Sequence, residues 1–344
     1  MHATLVLRIV LILALLCTEC GRLTGQQTVA TGKSRVAAAQ LSPVFLDKQA
    51  SLEKALSAIE EAAGESADLI VFPEVFLAGY PTWVNYLLPA NADEHQALYA
   101  ELLENSVTVP GAETAALCKA AKQYGINIVM GVHERNGKTG GSVYNTIVYI
   151  SDEGELLGKH RKLIPTYAER LVWSRGDGTT FGIHDTSVGR IGGLICWENR
   201  MPQARTALYE QGVEILVSPT ADGSDTWVSA MQTHAWEGGM YIISVCAAEP
   251  LDWVPNHYSF GAVKRDLERG RERDGYVTPG NSCIVNPEGQ IVAGPLQYAE
   301  GILYADIDLD LNRRKKLLFD AAGHYSRPDV FQLTSTVTPA PGVE

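Results

Sequence analysis

The chain has 344 residues, of which 46% are hydrophobic and 20% charged, with a formal net charge of −12. This composition suits an ordered globular protein. The acidic balance argues against nucleic acid or an anionic membrane as partner, because both need basic patches. Cys118, Cys196, Cys246 and Cys283 are scattered through the body with no Cys-x-x-Cys pair among them, which excludes a disulfide scaffold, gives no zinc spacing and fits a reducing compartment.

Residues 1–33 stand apart as a leader. Met1–Leu7 is followed by Arg8 and the apolar run Ile9–Cys17. That run is similar to a secretory signal core and is too short to span a membrane. Glu19 directly before Cys20 argues against a lipoprotein. The leader is therefore either an export signal, which would make the protein secreted or periplasmic, or an upstream extension from a misplaced start. A cytoplasmic location is favoured, because a reactive thiol survives best under reducing conditions. At ~150 residues per domain the length allows two domains. No proline- or serine-rich linker divides the body, so one large domain is equally allowed.

The body opens with a strand over Arg35–Gln40. Leu52, Leu56, Ile59 and Ala63 recur at helical spacing and predict a helix over Lys48–Ala63. Leu69–Phe72 is a short continuous apolar run, consistent with a strand buried on both faces. The aromatic- and proline-rich residues 75–92 read as a loop able to line a pocket. Helices follow over Glu94–Ser106 and Ala112–Tyr124. Strands Ile126–Val132 and Val143–Ile150 flank the glycine-rich turn Asn136–Gly141. Leu156–Leu163 is basic, and Ile164–Thr180 carries turn chemistry.

A strand at Arg190–Ile195 leads to Cys196, and a helix over Pro202–Gln211 comes next. Strands Glu214–Ser218 and Tyr241–Ala247 flank a helix over Thr226–Gly238. The charged run Asp266–Asp274 reads as a solvated loop. Strands Ser282–Val285, Ile291–Ala293 and Ile302–Ile307 precede a short helix over Asp310–Phe319. The Thr/Pro-rich segment 334–344 reads as a disordered tail. Strands alternate with helices and several neighbours are joined by hairpin turns, so the class is α/β, with helices layered on sheets. No internal repeat is visible.

Three groups with chemical potential stand at suggestive places. Cys196 ends an apolar strand just before a helical pattern, where free backbone N–H groups favour a thiolate. Alone, such a cysteine reads more readily as a small buried hydrophobe ending a strand. Glu74 follows a buried strand at Phe72-Pro73, as a helix-start residue or as a base whose pKa burial raises. Lys162 ends the run Lys159-His160-Arg161-Lys162. Four such side chains suit a solvated edge strand. Period-two alternation instead puts His160 and Lys162 on one face and Lys159 and Arg161 on the other.

Together these residues resemble the nitrilase branch of the carbon–nitrogen hydrolase superfamily. The resemblance covers residues 34–333. It rests on Phe72-Pro-Glu-Val-Phe76, on His160-Arg-Lys-Leu-Ile-Pro-Thr166 and on Cys196-Trp-Glu-Asn-Arg-Met-Pro202, in the family's order. Glu169-Arg-Leu-Val-Trp173, Gly176-Asp-Gly178 and Gly323-His-Tyr-Ser-Arg-Pro-Asp329 add to it. The resemblance implies a single hydrolase domain over 34–333 with a four-layer α-β-β-α sandwich fold. It also implies a Glu-Lys-Cys triad of Glu74, Lys162 and Cys196, with Glu169 as a second glutamate beside the lysine. By the same resemblance Trp173 and Trp197 line the substrate pocket, although plain core packing explains Trp173 equally well.

The implied activity is hydrolysis of a small organic nitrile with two waters to a carboxylic acid and ammonia, through a covalent thioimidate and thioester. No metal or organic cofactor is required for it. An amidase or carbamoyl-amide hydrolase with the same triad is the alternative. The family also implies a homo-oligomer, built from dimers that extend into larger spirals. Glu134 reads either as a buttress of the site or as structural, and His133, His234 and His324 read as structural.

Overall fold

The computed structural model describes residues 32–88 and 90–334. All but the last two residues of the expected leader, and all of the expected tail except Thr334, lie outside the described residues. Strand β1 (Lys33–Gln40) opens at the last position of that leader. Among the described residues, no helix is long and apolar enough to cross a membrane.

Among the described residues, twelve strands form two sheets. The first contains β1, β2 (Leu69–Val71), β3 (Asn127–Arg135), β4 (Val143–Ile150), β5 (Leu156–Arg161) and β12 (Gly301–Asp308), in the order β12-β1-β2-β3-β4-β5. The second contains β6 (Ile183–Thr186), β7 (Gly189–Gly193), β8 (Ile215–Thr220), β9 (Tyr241–Cys246), β10 (Gly280–Val285) and β11 (Ile291–Gln297), in the order β11-β10-β9-β8-β7-β6. Three strands run parallel at the heart of each sheet, β1-β2-β3 and β7-β8-β9. Each trio has one antiparallel strand on one side and two on the other. The two sheets thus share one plan, although the sequence shows no repeat.

Helices cover the outer faces. In α1 (Lys48–Gly64), Leu52, Ala55, Ile59 and Ala62 recur at three- and four-residue intervals and pack with α3 (Ala112–Tyr124) on Ala37, Ile70, Ile128 and Val148 of the first sheet. The Asp47 side chain accepts from the Ala50 N–H and caps α1, satisfying a donor that the helix leaves open. On the second sheet, α4 (Pro202–Glu210) and α5 (Asp225–Gly238) cover Leu194, Leu216, Ile242 and Val285. The alternate residues of the strands face inward, where sheet meets sheet. Gly193 shows how closely, since a Cβ there would meet Tyr149 Oη and Ile147 of the opposite sheet. This is the expected α-β-β-α sandwich.

A third apolar cluster closes one end of the sandwich. It joins Val75, Trp83 and Val84 with α2 (Ala92–Glu104) and α6 (Ser259–Glu268), and includes Trp173 and Trp253. The first part of the expected loop at 75–92, residues 75–84, is therefore well packed, with a 3-10 turn at Thr82–Asn85, while residues 85–88 and 90–92 are half-buried or exposed.

Four details differ from the sequence reading. Strand β6 was not anticipated: it is a four-residue edge strand, Ile-His-Asp-Thr, with no apolar alternation to mark it. The first three residues of the charged run at 266–274 belong to α6, because Phe260 and Lys264, four apart, are buried and hold the helix down. The helix expected to reach Phe319 is α7 (Leu309–Lys316), which ends in four basic residues that complement its carbonyl end. The strand expected to reach Ile195 stops at Gly193.

The close sheet contact yields a stability test. Gly193→Ala should lower the unfolding free energy by about 1–3 kcal/mol through overpacking. Tyr149→Phe in the same background should restore part of it, because the buried Tyr149 hydroxyl has no hydrogen-bond partner. Urea unfolding of the two variants measures both effects, and an unchanged midpoint in Gly193→Ala would show that the sheets are not in contact there.

Candidate active site

The parallel strands deliver side chains at their carboxyl ends, where α/β sheets place their ligands. Glu74 follows β2, Thr220 ends β8, Cys246 ends β9, and Cys196 stands three residues past β7. The Glu74 corner is sharp, with Val75 at φ 45° in the left-handed region. It packs directly on the β3 backbone, where a Cβ on Gly131 would collide with Pro73 O and Val75 N. Cys196 itself has φ 52° and opens a 3-10 turn over Cys196–Arg200. A non-glycine residue in that region stores strain, and here the strained residue is the candidate nucleophile.

Lys162 lies just after β5, and the alternation read from the sequence holds. Lys159 and Arg161 turn to one face and both bind Glu134, at 2.7 Å and through two bonds of 2.9 and 2.6 Å. Burial opposes the charge on Glu134, but Arg161 and Lys159 outweigh it and draw its pKa below the ordinary value. His160 and Lys162 turn to the other face and are buried. Lys162 Nζ donates to Glu74 Oε1 at 2.9 Å and to Glu169 Oε2 at 2.8 Å. Glu169 reaches the lysine because it caps the turn Tyr167–Leu171, its Oε2 accepting from the Thr166 N–H at 2.6 Å.

The electrostatics follow from burial. Alone, burial would strip Lys162 of its proton, but Glu74 and Glu169 outweigh it and hold the pKa above 10.5. Burial raises Glu74 above 4.5, and Lys162 offsets this only in part. Glu74 Oε1 accepts from both Lys162 and Asn145 Nδ2, the latter at 2.6 Å, while Glu74 Oε2 is buried with no partner. Burial, then the Glu74 charge, pushes the Cys196 thiol up to about 12, although Lys162 and the Thr220 hydroxyl, 3.3 Å from Sγ, work the other way.

Trp173 is 3% exposed, its ring centroid 5.6 Å from Lys162 Nζ. Its Nε1–H donates to His133 Nδ1 at 3.0 Å. His133 Nε2 is therefore the protonated nitrogen and donates to Gly79 O at 2.8 Å. Burial lowers the His133 pKa to about 4, so the ring is a neutral strut. Trp197 is 43% exposed, bonded through Nε1 to Asp222 and covered by the Arg200 guanidinium. The structure thus brings Glu74, Lys162 and Glu169 into direct contact, sets Cys196 within reach of their charges, puts Trp173 behind the lysine and leaves Trp197 at the rim. Among the described residues, no group of three or more His, Cys, Asp or Glu is placed to hold a metal ion.

Four residues escaped the sequence reading. Asn145 and Tyr80 contact Glu74 and Glu169 from distant parts of the chain, and Thr220 does the same for Cys196. The fourth is Glu198, buried inside the Cys196 turn. Its Oε2 accepts from the Ile195 N–H at 2.7 Å and its Oε1 from the Leu163 N–H at 2.6 Å, and His160 Nε2 lies 3.1 and 3.2 Å from the two oxygens. One carboxylate thus ties the residue before Cys196 to the residue after Lys162. The Cys-Trp-Glu string contained that glutamate, but no local pattern revealed its partners.

The carbon–nitrogen hydrolase family model matches residues 35–316. The chain is 42% identical to nitrilase 1 of Arabidopsis thaliana over 311 residues, which is 90% of this chain and 88% of that one. It is 41% identical to an aliphatic nitrilase of Sinorhizobium fredii (strain HH103) over 313 residues, 90% of this chain and 98% of that one. In shape it is similar to a carbon–nitrogen hydrolase from Helicobacter pylori G27, with a TM-score of 0.67, 21% identity, and 87% and 97% of the two chains covered. The last likeness bears on fold alone.

Glu198→Gln keeps the shape of the tie but leaves one acceptor oxygen for two backbone donors. The unfolding free energy should fall by about 1–3 kcal/mol, with faster amide exchange at Ile195 and Leu163. Unchanged exchange at both amides would show that the carboxylate does not join the two segments.

Proposed function

The chain belongs to the carbon–nitrogen hydrolase family, and on that premise we propose that it hydrolyses an organic nitrile with two waters to a carboxylic acid and ammonia, through a covalent intermediate on Cys196. It is a hydrolase of carbon–nitrogen bonds, and its curated relatives are nitrilases. The observation that carries the finer reading is the divided Glu74 carboxylate: one oxygen held by Lys162 and Asn145, the other buried and unpartnered. The free oxygen is placed to accept a proton during the reaction.

The cycle runs as follows. Cys196 rests as a thiol, because its raised pKa disfavours the thiolate. As Sγ attacks the nitrile carbon, Glu74 takes the thiol proton. Negative charge develops on nitrogen, and the Lys162 ammonium and the Trp197 backbone N–H, at the start of the 3-10 turn, meet it. One such donor is typically worth ~3–4 kcal/mol. Proton return from Glu74 gives the thioimidate. Water, deprotonated by Glu74, adds to its carbon, and the proton returns to make the nitrogen an amino group; the new hydroxyl then passes its own proton through Glu74 to that nitrogen, so that ammonia leaves and a thioester remains. A second water, activated in the same way, releases the acid and restores the thiol. Glu169 keeps Lys162 charged and in place throughout. Trp173 fixes the lysine from behind, and Trp197 lines the entrance.

Splitting the reaction through sulfur matters because a nitrile carbon is a poor target for water, whereas sulfur is a far stronger nucleophile. The amidase alternative uses the same groups but would consume one water and begin from an amide. The nitrilase identities at 41–42% favour the nitrile. A homo-oligomer belongs to the same reading, supported by the exposed apolar side chains Leu317, Leu318, Val330 and Phe331.

The test is ammonia and acid release from a panel of nitriles beside the matching amides. Wild type should turn over nitriles, and Cys196→Ala and Glu74→Gln should each lose about 10⁴-fold or more while remaining folded. Activity on amides alone would move the enzyme to the amidase reading, and a folded Cys196→Ala of near-normal rate would refute the covalent route. The pH profile has a defined sign. Glu74 acts as a base with a pKa above 4.5, so kcat/KM should fall as pH drops through that raised value. Lys162 should impose no alkaline limb below 10.5, and an acid limb at or below 4.5 would contradict Glu74 as the base.

A further inference from the structure

A small cavity of about 20 Å³, room for one group of the size of a water or an ammonium, is lined by Glu74, Tyr80, Thr220, Glu249, Trp253 and Thr278. Thr220 is bonded to Cys196 Sγ, so the cavity adjoins the reacting groups. Its wall at Trp253 and Glu249 is rigid. Trp253 donates through Nε1 to Pro43 O at 2.6 Å, and its ring fills the space a side chain on Gly79 would occupy. The main-chain oxygen of Glu249 accepts from Val277 N–H at 2.8 Å and from Thr278 N–H at 3.3 Å, which fixes the segment that carries it.

The Glu249 carboxylate takes no part in the chemistry proposed above. Its Oε2 accepts from Lys264 Nζ at 2.7 Å. Lys264 is fully buried, sits over the Trp253 ring at 5.0 Å and does not line the cavity. The lysine charge therefore lies behind the carboxylate, and the cavity meets the acidic partner. Cys246, which also lines the cavity, feels both carboxylates: after burial, Glu249 and then Cys196 and Glu74 raise its thiol pKa. The carboxyl groups of this region, Glu74 and Glu249 on the cavity wall with Glu169 and Asp222 beside them, outnumber the ammonium groups Lys162 and Lys264. An anionic substrate would meet uncompensated negative charge, whereas a donor at the far end of the substrate would meet a preorganised acceptor.

We propose that Glu249 is a specificity-determining residue whose carboxylate binds a hydrogen-bond-donating head, best an ammonium, at the end of the substrate away from the nitrile. This rests on the nitrilase reading and narrows its substrate class to short amino-nitriles over their alkyl and carboxylate counterparts. An ammonium is favoured over a neutral donor because charge-assisted bonds are about twice as strong.

The probes are butyronitrile and valeronitrile, the same chains with the terminal methyl replaced by an ammonium, and the same chains with it replaced by a carboxylate. In wild type, kcat/KM should favour the ammonium over the methyl compound of one length by about tenfold or more, with the carboxylate lowest. In Glu249→Gln the ammonium-to-methyl ratio should collapse toward one. Since that change leaves Lys264 without its anion, Glu249→Gln/Lys264→Met, which removes both charges, gives the same reading if the single variant misfolds. Equal or lower rates for the ammonium compounds, or a preference that survives in the variants, would overturn the assignment while alkyl turnover leaves the nitrilase reading intact. Folded wild type that hydrolyses none of these nitriles would overturn both.

Discussion

A single buried ammonium holds the site together. Lys162 is almost without solvent, and an isolated charge in that position would cost several kcal/mol. It is tolerated because Glu74 and Glu169 lie against it at 2.9 and 2.8 Å. The dependence is mutual, since neither carboxylate could stay ionised at that depth without the lysine. Three separate elements, the corner after β2, the end of β5 and the turn at 167–171, must therefore converge. The thiol is left out of this balance. Cys196 has a carboxylate and a cation nearby but no full pairing with either, so burial keeps its proton on; in the proposed cycle that proton leaves only when a substrate carbon takes the electron pair.

The sandwich makes such convergence possible. Each sheet has three parallel strands at its centre, and the ends of strands from both sheets meet at one edge of the inner space. Contacts between the sheets and within the first sheet then hold the site in place. Glu198 joins the Cys196 turn of the second sheet to the Lys162 segment of the first. Asn145 both accepts from the Lys162 N–H through its main-chain oxygen, at 2.8 Å, and donates to Glu74 through its side chain. Neutral His133 locks Trp173 and Gly79 together behind the lysine. Glu198 and His133 are buried with both of their polar ends partnered, which rigidifies a site as well as stabilising it, whereas Glu74 Oε2 and Asn145 Oδ1 take no partner.

Legibility in the sequence followed the range of the interaction. Period-two alternation in 159–162 separated Lys159 and Arg161 from His160 and Lys162, and the structure uses that division, with Glu134 on one side and the buried site on the other. Continuous apolar runs marked the central strands because both of their faces are covered. Glu169 came from resemblance, yet the Thr166-x-x-Glu169 spacing is also that of a capping box, a local signal the turn does employ. Tyr80, Asn145 and Thr220 stayed hidden because their partners lie tens of residues away and their own neighbours carry no pattern; Glu198 caps its own turn at Ile195, but its ties to Leu163 and His160 are equally distant in sequence. Strand β6 was missed for a related reason: it exists by pairing with β7 across the Thr186–Gly189 turn, not by any propensity of its own. The shared plan of the two sheets is equally absent from the sequence, since topology constrains strand direction and order far more than residue identity.

The account turns on Cys196 resting as a thiol beside an unoccupied carboxylate oxygen, with the proton moving only when substrate is attacked. Thiolate absorbance near 240 nm, titrated in wild type against Cys196→Ala, measures that state directly. The two proteins should absorb alike through neutral pH and part only toward strongly alkaline pH, in keeping with a thiol pushed up to about 12. A wild-type excess already present near neutral pH would mean a preformed Cys196 thiolate, and the role assigned to the free Glu74 oxygen would be wrong.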